Sequence, residues 1–74
     1  MAVVRVQCYS GTKANERPIR FEIDGHEHMV DEVIEQWYGP EHALFKVRAD
    51  DDNIYVLRHN QATEVWSLES VRKS

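Results

Sequence analysis

The sequence predicts an all-β domain, a small antiparallel barrel or roll of five to six strands. Apolar and polar residues alternate in the segments 3–10, 18–23 and 44–49, which is the period of a strand with one buried face. Turn residues separate such segments at intervals of about ten residues, a spacing typical of small barrels and rolled sheets. A chain of 74 residues holds one domain. We therefore expect a single β domain over residues 1–74.

The first two predicted strands and the turn after them carry the clearest signals. The mostly polar segment 11–17 predicts a loop, and Pro18 is suited to the first residue of a strand because it cannot donate to a ladder. Asp24–Gly25 supplies the positive φ values of a tight hairpin turn. By alternation, the inward-facing residues of these strands are Val4, Val6, Cys8, Ile19, Phe21 and Ile23.

Residues 26–37 support two interpretations. A helix would place four apolar residues on one face, namely Val30, Val33, Ile34 and Trp37. A strand needs one β-bulge near Asp31–Glu32, which brings Val33, Glu35 and Trp37 into line. We favour the strand, because a tight hairpin turn at Asp24–Gly25 joins two paired strands and would leave the first strand without a partner if a helix followed.

The second half of the chain predicts three further strands. After the segment 44–49, an acidic turn at 50–53 leads into 54–59, which is apolar on both faces for four residues, as in a central strand. Residues 64–68 form a last strand, and the polar tail 69–74 is a candidate for one short helical turn. The expected core consists of Val4, Val6, Ile19, Phe21, Ile23, Val33, Trp37, Phe45, Val47, Leu57, Trp66 and Leu68.

Charge and composition disfavour several classes of protein. Thirteen acidic and nine basic side chains give a net charge of −4, whereas proteins that bind phosphate backbones depend on Lys and Arg. The single cysteine, Cys8, cannot form an internal disulfide. No apolar run reaches the roughly 18 residues of a membrane-spanning helix. We expect a cytoplasmic monomer that does not associate with membranes.

Few residues are candidates for chemistry. His26 and His28 project to the same side of a strand, as pairs of zinc ligands do, but no spacing brings Cys8, His42 or His59 near them. Serine-based nucleophile elbows, phosphate-binding glycine loops and paired zinc motifs are missing from the sequence. We therefore expect surface histidines, no metal, no cofactor, no catalytic residue and no enzymatic activity.

Two surfaces are candidates for binding a partner. The stretch 22–35 has six carboxylates and no Lys or Arg, which suits a basic protein partner, and its representative residues are Glu27, Asp31 and Glu35. The second surface would hold single-stranded nucleic acid by phosphate contacts and base stacking through Lys46, Arg48, Tyr55 and Arg58. The leading hypothesis is a non-enzymatic protein-interaction module, and the alternative is a weak nucleic-acid-binding accessory domain.

Several phrases of the sequence resemble a known family. KANERPIRF, VIEQWYGP, LFKVRADDDNIYVLRHN and EVWSL resemble a family of uncharacterised small bacterial cytoplasmic proteins over nearly the whole chain. That resemblance implies a small all-β domain without an assigned activity, cofactor or catalytic residue, and it favours the strand interpretation of residues 26–37.

A second resemblance is more distant. The pattern formed by Trp37, the strand from Phe45 to Val47, Tyr55 and Trp66 is similar to a small β domain appended to some bacterial proteins of DNA-damage-tolerance polymerase type. It implies an accessory role near DNA transactions, exerted through protein contacts.

Overall fold

Six antiparallel strands form one curled sheet in the computed structural model, which describes residues 4–9 and 17–73. The strands pair in chain order, and the two edge strands approach each other, so that the sheet curls into a half-barrel. The prediction of a small all-β barrel or roll is confirmed. The strands are β1 (Val4–Tyr9), β2 (Arg17–Ile23), β3 (His26–Tyr38), β4 (His42–Ala49), β5 (Ile54–Asn60) and β6 (Val65–Arg72).

The inner face of the curl carries the core. Its most buried apolar residues are Phe21, Ala43, Phe45, Val47, Ala49, Tyr55 and Leu57. Half-buried residues pack around them, namely Val4, Val6, Ile23, Val30, Val33, Trp66 and Leu68. All but two of the twelve predicted core residues are therefore confirmed. The exceptions are Ile19 and Trp37, which are 38% and 45% exposed.

Ile19 leaves the core because of a bulge between β1 and β2. Gln7 lies opposite Arg20, but Cys8 lies opposite Pro18, so Ile19 is the extra residue. A bulge reverses the alternation of side chains beyond it. Pro18 is consequently buried where the sequence predicts Ile19.

Residues 26–37 are a strand, and β3 contains two bulges instead of the one predicted. The register shifts between Val30 and Glu32, as expected, and again between Val33 and Glu35. Val33 therefore faces inward, whereas Trp37 projects to the outer face opposite Leu44. The second bulge explains why the prediction of Trp37 in the core is wrong.

The β2–β3 turn agrees with the sequence prediction. Ile23 lies opposite His26, so Asp24 and Gly25 form a two-residue loop. Their φ angles are 50° and 86°, the left-handed conformation at both positions that a type I′ turn requires. This turn fixes the register of the hairpin and hence which β3 residues face the core.

The last strand is longer than predicted. β6 continues through the polar tail to Arg72, which lies opposite Ile54, so the expected helical turn is wrong over residues 69–72. Leu68 lies opposite Leu57 and Ser70 opposite Val56, which makes Glu69 the extra residue of a bulge. Pairing with β5 therefore extends the sheet into a segment where Val71 is the one apolar residue.

Candidate functional site

The outer face of strands β3 to β6 carries an apolar groove of about 550 Å³. This outer groove is lined by Trp37, Leu44, Lys46, Ile54, Val56, Ser70 and Arg72. Its floor is aliphatic, one end carries the exposed indole of Trp37, and two cationic side chains border it. An antiparallel sheet with a packed inner face normally carries polar residues outside. An apolar groove on the outer face is a departure from that pattern.

The strand register brings the groove residues together. Trp37 lies opposite Leu44, while Lys46, Val56 and Ser70 form one row across β4, β5 and β6. Directly opposed residues of antiparallel strands project to the same face and contact each other. The groove is therefore built by side chains of four consecutive strands, β3 to β6.

Two arginines of the outer face, Arg48 and Arg58, have an acidic neighbour. Arg48 Nη2 lies 3.1 Å from Glu32 Oε2, and Arg58 Nη1 lies 3.8 Å from Glu69 Oε2. Arg58 Nη2 also lies 2.9 Å from Nε2 of His42. These pairs are solvent-exposed and contribute little stability, but they neutralise two guanidinium groups.

Lys46 and Arg72 differ from Arg20, Arg48 and Arg58, which form ion pairs. Among the residues that the structure describes, neither has a carboxylate oxygen within 4.0 Å. Glu35 lies opposite Lys46 in the β3–β4 register without forming such a pair. The outer groove therefore has two cations available to a ligand, in a protein whose net charge is negative.

The predicted acidic surface does not converge on one site. Glu27, Asp31 and Glu35 are all exposed on β3. Glu27 accepts a 3.0 Å hydrogen bond from Arg20, and Glu35 faces Lys46 across the ladder. Glu27 and Glu35 are separated by roughly 25 Å of strand. Basic residues of the neighbouring strands thus interrupt the negative charge.

The predicted nucleic-acid surface is only partly assembled. The register places Lys46, Arg48 and Arg58 on the outer face, as expected. Tyr55 lies on the inner face instead, 6% exposed, where its hydroxyl donates a 2.7 Å hydrogen bond to Asp51. The prediction that these four residues share one face is therefore wrong for Tyr55. Trp37 is an exposed aromatic side chain on the outer face.

His28 is not the surface residue that the sequence predicts. Its ring stacks on Phe21 with centroids 5.2 Å apart and lies 5.2 Å from the ring of Tyr55. His28 Nδ1 lies 3.5 Å from Asp51 Oδ2 and 4.0 Å from Asp50 Oδ1. His26 is exposed at the hairpin turn, so the two histidines do not form a common site.

The cluster of His28, Asp50 and Asp51 offers three ligand atoms within 4.8 Å of one another. Such nitrogen and oxygen atoms could hold a divalent cation. Asp51, however, already accepts hydrogen bonds from the Asn53 backbone at 3.0 Å and from Tyr55. We interpret the cluster as an anchor that attaches the β4–β5 turn to the core.

Asp51 and Tyr55, which are joined by a hydrogen bond at this anchor, both have shifted pKa values. Partial burial raises the pKa of the Asp51 carboxyl, but hydrogen bonds from Tyr55 and Asn53 and the proximity of His28 outweigh it and hold the pKa below 3.8. Burial, and then the hydrogen bond to Asp51, raise the pKa of the Tyr55 phenol above 10.0. The ionised carboxylate and the neutral phenol are thus the stable pair.

Replacing Asp51 by Ala is expected to lower the free energy of unfolding at neutral pH by about 1–3 kcal/mol, because it leaves the buried hydroxyl of Tyr55 without its acceptor. A carboxyl with a depressed pKa stabilises the fold above its unfolded value of 3.8 and loses that contribution as the pH falls through the folded value. The difference between wild type and variant should therefore shrink in acid, in urea unfolding followed across pH. Asp50→Ala is the control, and an equal loss in both variants would contradict the assignment.

The outer groove contains residues that the sequence analysis did not select as a site. Ile54 and Val56 did give a signal, since their segment is apolar on both faces. In a single curled sheet, a strand that is apolar on both faces must expose one of them. Trp37 and Arg72 gave no such signal, because a bulge and an extended ladder determine where they project.

Together, the fold and the groove define a class of protein: a small antiparallel half-barrel with a partly cationic apolar groove on its outer face. Comparisons of the chain with protein-family models, with curated proteins and with solved structures find no match. Within the described residues, no helix is long and apolar enough to cross a membrane.

Proposed function

We propose that this chain is a non-enzymatic protein-interaction module of the bacterial cytoplasm, and that it docks its partner in the outer groove. The observation that carries the proposal is the apolar outer face. Trp37 is 45% exposed beside Leu44, Ile54 and Val56 on a face that such a sheet normally keeps polar. A concave, mostly apolar surface with a few polar groups at its border is typical of binding sites, and tryptophan is enriched among the residues that dominate binding energy.

The polar groups of the groove suit binding better than catalysis. Among its described lining residues, Ser70 alone carries a hydroxyl, and Lys46 is the nearest candidate base in the same cross-strand row. Two inter-strand spacings separate these residues, about 10 Å between backbones. A general base must lie within hydrogen-bond reach of the group that it activates. The pair is therefore better suited to holding a ligand than to activating a nucleophile.

Replacing Trp37 by Ser is expected to weaken partner capture by about thirtyfold or more, the effect of removing a hot-spot residue. The fold should survive, because the indole contributes an outer cross-strand pair worth about 1 kcal/mol or less. The measurement is affinity capture from native bacterial lysate after nuclease treatment, with circular dichroism of each variant. Val65→Ser is the control, since Val65 is 59% exposed and lies outside the groove lining. Equal capture by Trp37→Ser and wild type would refute the proposal.

The alternative, a weak nucleic-acid binder, has one observation in its favour. Trp37 and Lys46 lie on the same face and could stack a base and bind a phosphate. Ion pairs neutralise Arg48 and Arg58 on that face, which leaves a short track of positive charge. Two results would favour this alternative. Captured proteins would be lost after nuclease treatment, and the affinity for an oligonucleotide would fall steeply as the salt concentration rises.

A further inference from the structure

We propose that the occupant of the outer groove is a short peptide segment in which an acidic residue stands beside a large apolar side chain. The inference rests on the proposed function, because it names the partner chemistry of the same groove. The apolar side chain would fill the space between Trp37 and the aliphatic floor. The carboxylate would lie between Lys46 and Arg72.

Charge complementarity carries the first step. On the outer face, Arg20, Arg48 and Arg58 each have a glutamate within 4.0 Å. Lys46 and Arg72 have no such neighbour among the described residues, and both border the groove. A ligand with a negative group would complement these two cations, and a basic ligand would be repelled by them.

The placement of the two cations fits a single carboxylate. Lys46 on β4 lies opposite Val56, and Arg72 on β6 lies opposite Ile54. Two inter-strand spacings and two residues of strand put their Cα atoms about 12 Å apart. Both side chains are long enough to converge above Ile54 and Val56. An anion held there would lie directly over the apolar floor.

The dimensions favour a peptide segment over a folded domain or a small molecule. A volume of about 550 Å³ accepts only a few side chains. Small-molecule sites usually enclose most of their ligand. This groove lies open on the outer face of a sheet, with Trp37 45% exposed. An extended segment can lie across such a surface and place two adjacent side chains in it.

Nucleic acid fits the same groove less well. A strand of phosphates needs a continuous series of cations, and each phosphate contact contributes to the salt dependence of binding. Arg48 and Arg58 are paired with Glu32 and Glu69, and Glu35 lies opposite Lys46. These carboxylates would repel a phosphate backbone but tolerate a single carboxylate between Lys46 and Arg72.

Selection from a random peptide display library, with the purified domain as bait, tests the inference. The expected result is enrichment of peptides that carry Asp or Glu next to a large apolar residue. Lys46→Gln and Arg72→Gln should each weaken binding of an enriched peptide by about fivefold in fluorescence anisotropy. Glu35→Gln should strengthen it, because the substitution removes a negative charge opposite Lys46 that would repel the peptide carboxylate. Arg20→Gln, which removes the same charge outside the groove, is the matched control and should change nothing.

Other outcomes would overturn the inference. Enrichment of basic or uncharged peptides, no enrichment at all, or equal losses in Lys46→Gln and Arg20→Gln would each do so. Trp37-dependent binding of a labelled oligonucleotide would assign the groove to nucleic acid. A dimer in sedimentation that Trp37→Ser dissociates would assign it to a second copy of the chain.

The failure of the inference is distinguishable from the failure of the proposed function. If lysate capture requires Trp37 but is unaffected by Lys46→Gln and Arg72→Gln, the groove binds a protein of different chemistry. In that case the proposed interaction function is supported and the proposal of an acidic ligand is refuted. Capture that is independent of Trp37 would refute both the proposed function and the acidic peptide ligand.

Discussion

Replacing Phe21 by Ala is expected to unfold the domain. Phe21 is 1% exposed, and its ring contacts those of His28 and Tyr55 with centroids 5.2 and 4.9 Å away. Truncation of a buried phenylalanine to alanine costs about 3–5 kcal/mol. A chain below roughly 80 residues rarely has more than about 3–5 kcal/mol of stability from its core. The substitution therefore removes most or all of the stability.

A milder substitution makes this prediction measurable in a folded protein. Phe21→Leu retains an apolar side chain but loses the ring contacts, so it should cost about 1–3 kcal/mol in urea unfolding. Ile19→Ala is the position-matched control, because Ile19 is only two residues away but sits on a bulge and is 38% exposed. Its cost should be about 1 kcal/mol or less. If Ile19→Ala proved as damaging as Phe21→Ala, the register of β1 and β2 would be wrong.

The contrast between Ile19 and Phe21 shows where sequence patterns predict this fold correctly. A strand has a side-chain period of two, so alternation assigns the buried face correctly wherever the ladder is unbroken. In β4, Phe45 and Val47 lie inward as predicted. In β1–β2 and β3, bulges reverse the alternation, and the predictions for Ile19 and Trp37 are wrong beyond them. The pairing partner determines where a bulge falls, and a single sequence does not reveal that partner.

The candidate site was less predictable than the core for the same reason. The basic residues of β4 could be placed on one face by alternation, but the ion pairs of Arg48 and Arg58 depend on register with β3 and β6. Trp37 reached the outer face only through the second bulge of β3. Bulges commonly re-aim side chains beside functional sites. That role agrees with the proposed importance of Trp37.

Replacing Leu57 by Ala should have the second large effect on stability. Leu57 lies at the centre of the inner face, 0% exposed, and is flanked by Phe45 on β4 and Leu68 on β6. Because the surrounding strands cannot collapse onto the space left behind, the expected loss is about 2–5 kcal/mol in urea unfolding. Binding by this variant should fall only in proportion to the fraction that is unfolded.

Leu44→Ala is the matched substitution on the opposite face. Leu44 lies on the outer face of β4, opposite Trp37 and Arg58, and lines the groove. Its truncation should cost about 1 kcal/mol or less of stability, the range of a cross-strand pair. It should nevertheless weaken peptide binding, because the floor of the groove loses apolar contact. If Leu44→Ala lowered the free energy of unfolding as much as Leu57→Ala, the outer face would be needed for the stability of the fold. If it binds weakly while fully folded, the inner face maintains the domain and the outer face is available for a partner.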